Sequence, residues 1–161
     1  MWTFKSFTRP DGRKLVAEWY DGQDGTVQAA FITALKLLRA LPPDGWDRPD
    51  VGQLRRECAG LYEIVLKVNK VQHRPIGYKQ VGKCFPALSK SISPLSKALT
   101  ISLYRNTSYD VLMSGHSEFT ILIFAIEKDR KLPPGTCETA KKRIEIINND
   151  KERVSEFRIP K

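Results

Sequence analysis

Within residues 61–80, Lys67, Arg74 and Tyr78 put two cations and a phenol at a spacing suited to handling a phosphate. Tyr62, Ile64, Leu66 and Val68 alternate with Leu61, Glu63, Val65 and Lys67, the two-residue period of a strand. Asn69-Lys70 then supplies a two-residue turn. This predicts a β-hairpin over 61–79 in which 68 faces 71, 67 faces 72, 65 faces 74, 63 faces 76 and 61 faces 78. One predicted face holds Tyr62, Ile64, Leu66, Val68, Val71, His73 and Pro75 and reads as core. The other holds Glu63, Lys67, Gln72, Arg74 and Tyr78 and reads as a solvent-facing cationic surface. Guanidinium and ammonium groups beside an aromatic ring are the usual means of meeting a nucleic-acid strand. The competing reading is a solvated sheet face with no partner.

The distribution of charge favours a polyanion. The chain has 161 residues and a formal net charge of +9. Within 61–80, Lys67, Lys70, Arg74 and Lys79 are set against Glu63 alone. Within 81–115, Lys83, Lys90, Lys97 and Arg105 are set against Asp110 alone. Most of the excess therefore sits in the middle third, which is the footprint expected for an RNA or DNA partner. The length suits one domain with its own core. Cys58, Cys84 and Cys137 are odd in number and form no CxxC pair. That predicts neither a disulfide framework nor a zinc site, and thiols suited to a reducing cytosol. MWTFKSFTRP lacks the apolar stretch of a secretory leader. The longest apolar run, Ile121–Ile126, is far below the roughly 20 residues of a membrane helix. The expectation is a cytoplasmic protein with no membrane association.

These residues need elements to position them. Trp2–Phe7 reads as a first strand closed by Pro10-Asp11-Gly12, and Lys14–Tyr20 as a short helix. Asp24-Gly25-Thr26 is an N-cap signal. Val27, Ala30, Phe31, Ala34, Leu35, Leu38 and Leu41 follow at helical spacing, predicting a helix over 26–41 that Pro42-Pro43 ends. Residues 44–60 read as a mixed connector. Phe119–Ile126 is apolar on both faces, so it is expected as a central strand. Pro133-Pro134 introduces a helix to about 149, with Ala140, Ile144 and Ile147 as its apolar stripe and Lys141-Lys142-Arg143 as its solvated turn. Residues 153–159 form a closing strand or a tail. The serine-rich segment 81–115, with Pro86 and Pro94, fits none of these elements and reads as an insertion.

The strings GLYEIVLKVNKVQHRPIG (60–77), EFTILIFAIEKDRKLPP (118–134) and ETAKKR (138–143) resemble the RelE/HigB-like toxins of type II toxin–antitoxin modules, in their phage-derived HigB-like branch. The resemblance covers about 1–80 and 116–157. It implies a single α+β domain over 1–161 with the RelE/ParE-like plan. In that plan a small, mostly antiparallel sheet is packed by N-terminal helices and a C-terminal helix, here with the insertion at about 81–115 between hairpin and central strand. It also implies a metal-independent, cofactor-free endonuclease that cuts mRNA on the ribosome, held in check by a cognate antitoxin with a helix-turn-helix domain. The implied chemistry is attack of a ribose 2′-OH on its own phosphate. That needs a base, cations on the phosphate oxygens and an acid for the leaving oxygen.

Carried over residue by residue, the resemblance implies catalytic roles for Lys67, Arg74, Tyr78 and Lys128. Arg74 would hold the phosphate by its permanently charged fork. Lys67 would stabilise the phosphate, or act as base if its pKa were drawn well below about 10.4. Tyr78 would stack on a base or donate a proton. Lys70, Lys79, Lys83 and His116 are the candidate RNA contacts around them. The chain departs from the pattern at Val65, where relatives often carry arginine. It departs again at Ile123, Phe124 and Glu127, where histidine, glycine and a second lysine are common. His73 is expected in the core. Two alternatives stay open: a ParE-like gyrase inhibitor, and a degenerate member that only binds RNA or antitoxin.

Overall fold

The computed structural model describes residues 1–46, 49–81, 117–127 and 131–160. The insertion beyond residue 81 and the candidates Lys83, His116 and Lys128 lie outside them. The protein is α+β, and its described residues form three α-helices and a seven-stranded, mostly antiparallel open sheet. In chain order these are β1 (Trp2–Phe7), α1 (Leu15–Asp21), α2 (Gly25–Ala40), β2 (Val51–Gln53), β3 (Tyr62–Ile64), β4 (Leu66–Val68), β5 (Val71–Gln80), β6 (Ser117–Ile126), α3 (Thr136–Asn149) and β7 (Val154–Glu156). The sheet order is β2-β3-β5-β6-β1-β7, with β4 paired to β5. β1 runs parallel to β6, while the other pairings are antiparallel.

Most elements have a local cause. Asp24 caps α2, its carboxylate accepting from the Thr26 and Val27 amides at 2.8 and 3.0 Å, which satisfies donors that have no partner within the helix. Val27, Phe31, Leu35 and Leu38 then bury one stripe of α2. Asn69 and Lys70 both take positive φ, the geometry of the tight hairpin turn whose twist matches its strands. The expected register holds at 68/71, 67/72 and 63/76. It is interrupted at Val65, whose amide donates instead to the Asp50 carbonyl at 2.8 Å. That contact draws 51–53 out of the connector and makes it strand β2.

The sheet is covered on both faces. One core joins Trp2, Phe4, Phe31, Leu35, Trp46, Ile64, Phe119 and Ile121 beneath α1 and α2. The second joins Phe7, Leu15, Cys58, Leu61, Ile76, Leu122, Ala140 and Ile147 beneath α3 and the 54–61 loop. This second cover corrects the expectation of a solvent-facing hairpin surface. Glu63, placed outward from the sequence, is 1% exposed. β6 supplies both cores because it bulges: Ile76 faces Ile123 and Gly77 faces Ile121, leaving Leu122 without an opposite residue. The shift moves Ala125 onto the second core.

Cys58 and Cys137 form a disulfide, with Cα atoms 5.1 Å apart. This corrects the expectation of three unpaired thiols. The two cysteines lie 79 residues apart in sequence, and spacing along a chain says little about proximity when a sheet intervenes. The bond ties the 54–61 loop to the first turn of α3.

Gly77 sits where β6 leaves no room for a side chain. A Cβ there would lie 2.9 Å from the Thr120 carbonyl carbon and 3.0 Å from Phe119 Cζ. The obstacle is backbone of the neighbouring strand and cannot swing aside. Gly77→Ala should therefore cost about 3 kcal/mol, at the upper end for overpacking. Urea unfolding monitored by circular dichroism measures this, and an unchanged midpoint would contradict the packing described.

Candidate nucleic-acid interface

The hairpin tip is where free positive charge stands out. Lys67, before the turn, and Lys70, within it, are exposed, and Gln72 faces Lys67 across the hairpin. The strand period then points Arg74 to the same face as Lys67 and Gln72. Arg74 is not open to solvent: its side chain is 13% exposed and forms ion pairs with Glu63 and Glu127, the latter 10% exposed. Its Nη2 also donates to Gln72 Oε1 at 2.8 Å. The Gln72 carbonyl in turn accepts from the Glu127 amide at 3.0 Å. Arg74 thus sits at the centre of a mostly buried carboxylate–guanidinium–carboxylate cluster, and a phosphate could meet it only by displacing a carboxylate.

The remaining candidates divide between the faces. Tyr78 shares the face of Arg74 but packs half-buried against the second core. Lys79 points to the opposite face, with Nζ 4.3 Å from the centre of the Tyr62 ring and 5.2 Å from that of Trp46. It stabilises that aromatic group by cation–π attraction and does not join Lys67 and Arg74. Four cations and a phenol that lie close together in sequence are therefore split among a tip, a buried cluster and two core margins. Among the described residues, no group of three or more His, Cys, Asp or Glu side chains could hold a metal ion. No described helix is long and apolar enough to cross a membrane.

His73 lies in the core face as expected, 7% exposed, with its ring edge-on to Trp19 at 6.0 Å. Burial pushes its pKa below the ordinary 6.5, and Asp24 opposes this. The unfolded chain thus binds the proton more readily than the folded one, so stability is full above about pH 6.5 and falls as pH drops below it. His73→Gln should flatten that acid limb. Thermal melts across pH 5 to 8 give the comparison, and an unchanged limb would place its origin elsewhere.

Three functional-looking residues escaped the sequence reading. Glu127 pairs with Arg74 only because the β6 bulge shifts the strand's phase, and nothing in the alternation announces it. Arg143, assigned to a solvated turn, reaches inward instead: it donates to the Leu122 carbonyl and lies 5.2 Å over the Phe7 ring. Arg9, in the turn after β1, approaches the same region. β1 pairs with β6 only as far as Ile121, so the Leu122 carbonyl has no β1 residue opposite it, and Arg143 takes that place. In comparisons with known proteins, the chain matches no family model, no curated protein and no solved structure.

Proposed function

We propose that this protein is a RelE/HigB-like toxin that engages mRNA on the ribosome through its basic hairpin and cleaves it without a metal. The observation carrying the reading is the tip itself. Lys67 and Lys70 stand exposed around a rigid turn, held by a sheet covered on both faces. Two ammonium groups so placed can each meet a phosphate as a point charge. The element order supports the reading, since it runs as the sequence resemblance implies: strand, helices, hairpin, apolar strand and C-terminal helix. Such a target sets its action in the cytoplasm, with a helix-turn-helix antitoxin as the natural partner.

A second reading is favoured by one observation, the capture of Arg74 by Glu63 and Glu127. A guanidinium neutralised twice is a poor ready-made phosphate ligand. In this reading the chain binds RNA or antitoxin and does not cut.

One pair of experiments separates the readings. Lys67→Ala with Lys70→Ala should weaken RNA binding about tenfold at low salt and reduce the salt slope by about 1.4, as expected for two lost phosphate contacts on a single strand. Fluorescence anisotropy over a salt series reads both. Inducing the wild-type protein and mapping mRNA ends then tests cutting. New ends support the nuclease, and RNA binding without new ends supports the second reading. Inhibition of gyrase supercoiling without RNA binding would replace both with a ParE-like activity.

A further inference from the structure

Beyond residue 121, where β1 stops pairing, β6 borders a notch of about 280 Å³ lined by Arg9, Glu18, Trp19, Ile123, Phe124 and Arg143. No part of it comes from the hairpin. Two features make it chemically unusual. The first is charge. Arg9 and Arg143 line the same notch, and burial together with Arg9 lowers the Arg143 pKa. The one carboxylate in the notch is Glu18, which lies 3.4 Å from Arg9 Nη2 and is shared with Arg13 at 3.3 Å. The Arg9 Nε is buried without a hydrogen-bond partner. A buried donor left unmade costs free energy, and two guanidiniums lining one space repel each other. An anion between the two guanidiniums relieves that repulsion.

The second feature is the wall. Trp19 and Phe124 stack with ring centres 4.0 Å apart and planes 5° from parallel, and both are only partly buried. An aromatic surface beside paired arginines matches a ligand that is flat at one end and anionic at the other. The volume of about 280 Å³ lies just below the lower bound for ligand pockets, about 300 Å³.

We propose that this notch binds a nucleoside monophosphate, with the phosphate between Arg9 and Arg143 and the base against the Trp19–Phe124 pair. The assignment does not rest on the RNA reading, since neither arginine belongs to the hairpin.

Calorimetric titration of the full chain tests it, with AMP as the probe and orthophosphate and adenosine as the two partial ligands. AMP should bind more tightly than either part. Arg9→Gln should weaken AMP at least about tenfold, the scale of one lost hydrogen bond to a charged group. Arg143→Lys keeps a donor for the Leu122 carbonyl but loses the fork, so it should weaken AMP severalfold with an unchanged circular dichroism spectrum. Lys142→Ala, exposed on the same helix and paired with Glu138, should match wild type. Four results would overturn the proposal: no AMP binding at millimolar concentration, wild-type affinity in Arg9→Gln, orthophosphate binding as tightly as AMP, or adenosine doing so.

Discussion

Replacing Arg74 with alanine should destabilise the protein by about 4 kcal/mol, the usual cost of breaking a buried ion pair by removing one partner. The reason is what remains. Glu63 and Glu127 are almost wholly shielded from water, and without the guanidinium each buried carboxylate loses an ion pair. Replacing the cluster as a unit, with Glu63→Gln and Glu127→Gln added to Arg74→Met, should recover much of that loss, because no uncompensated charge is left. Lys67→Ala, at an exposed site, should stay within about 0.5 kcal/mol of wild type. Urea unfolding of these variants provides the measurement. If Arg74→Ala proved as stable as Lys67→Ala, the buried cluster would not exist as described.

That difference matters for any functional assay. Loss of RNA cleavage or of growth inhibition in Arg74→Ala would report on folding as much as on phosphate contact. Lys67 and Lys70 can be changed without disturbing either core, so they are the clean probes of the hairpin. Retention of full RNA binding in the Lys67→Ala, Lys70→Ala double variant would remove the tip from the interface.

The second large effect concerns the bond between Cys58 and Cys137. Changing both cysteines to serine should lower stability by about 4 kcal/mol, from the loop-closure entropy of a crosslink spanning 79 residues. For a chain of this size, that corresponds to a fall in melting temperature of roughly 8–16 °C. A reducing agent added to wild type should produce the same shift, and should do nothing further to the serine variant. Differential scanning calorimetry with and without reductant checks both arms. An equal melting temperature in all four samples would show that the bond is not formed in solution. Cys58 is buried in the second core while Cys137 opens α3, so the loosened region should be α3 and the 54–61 loop. Hydrogen exchange in those segments is expected to rise first.

Much of the local architecture was legible from residue order. The helix at α2 followed from the spacing of Val27, Phe31, Leu35 and Leu38 and from the capping carboxylate of Asp24. The hairpin turn and most of its register followed from alternation around Asn69-Lys70, though not the break at Val65. The central position of β6 followed from a run apolar on both faces, and His73 fell in the core as its phase required. Each of these depends on residues within a few positions of one another, so a short stretch of chain contains the whole cause.

What escaped the sequence was decided by contacts between distant segments. Alternation showed that Glu63 and Arg74 share a face, but not that the fold would shield both from water. Cys58 and Cys137 gave no sign of pairing, because only the packing of α3 brings them together. Glu127 reached Arg74 through a one-residue bulge in β6, and Arg143 turned inward because β1 ends where the Leu122 carbonyl needs a donor. Residue order determined which faces exist and which side chains lie on each. The tertiary structure decided which of those faces meet water, since that depends on what the rest of the chain lays over them.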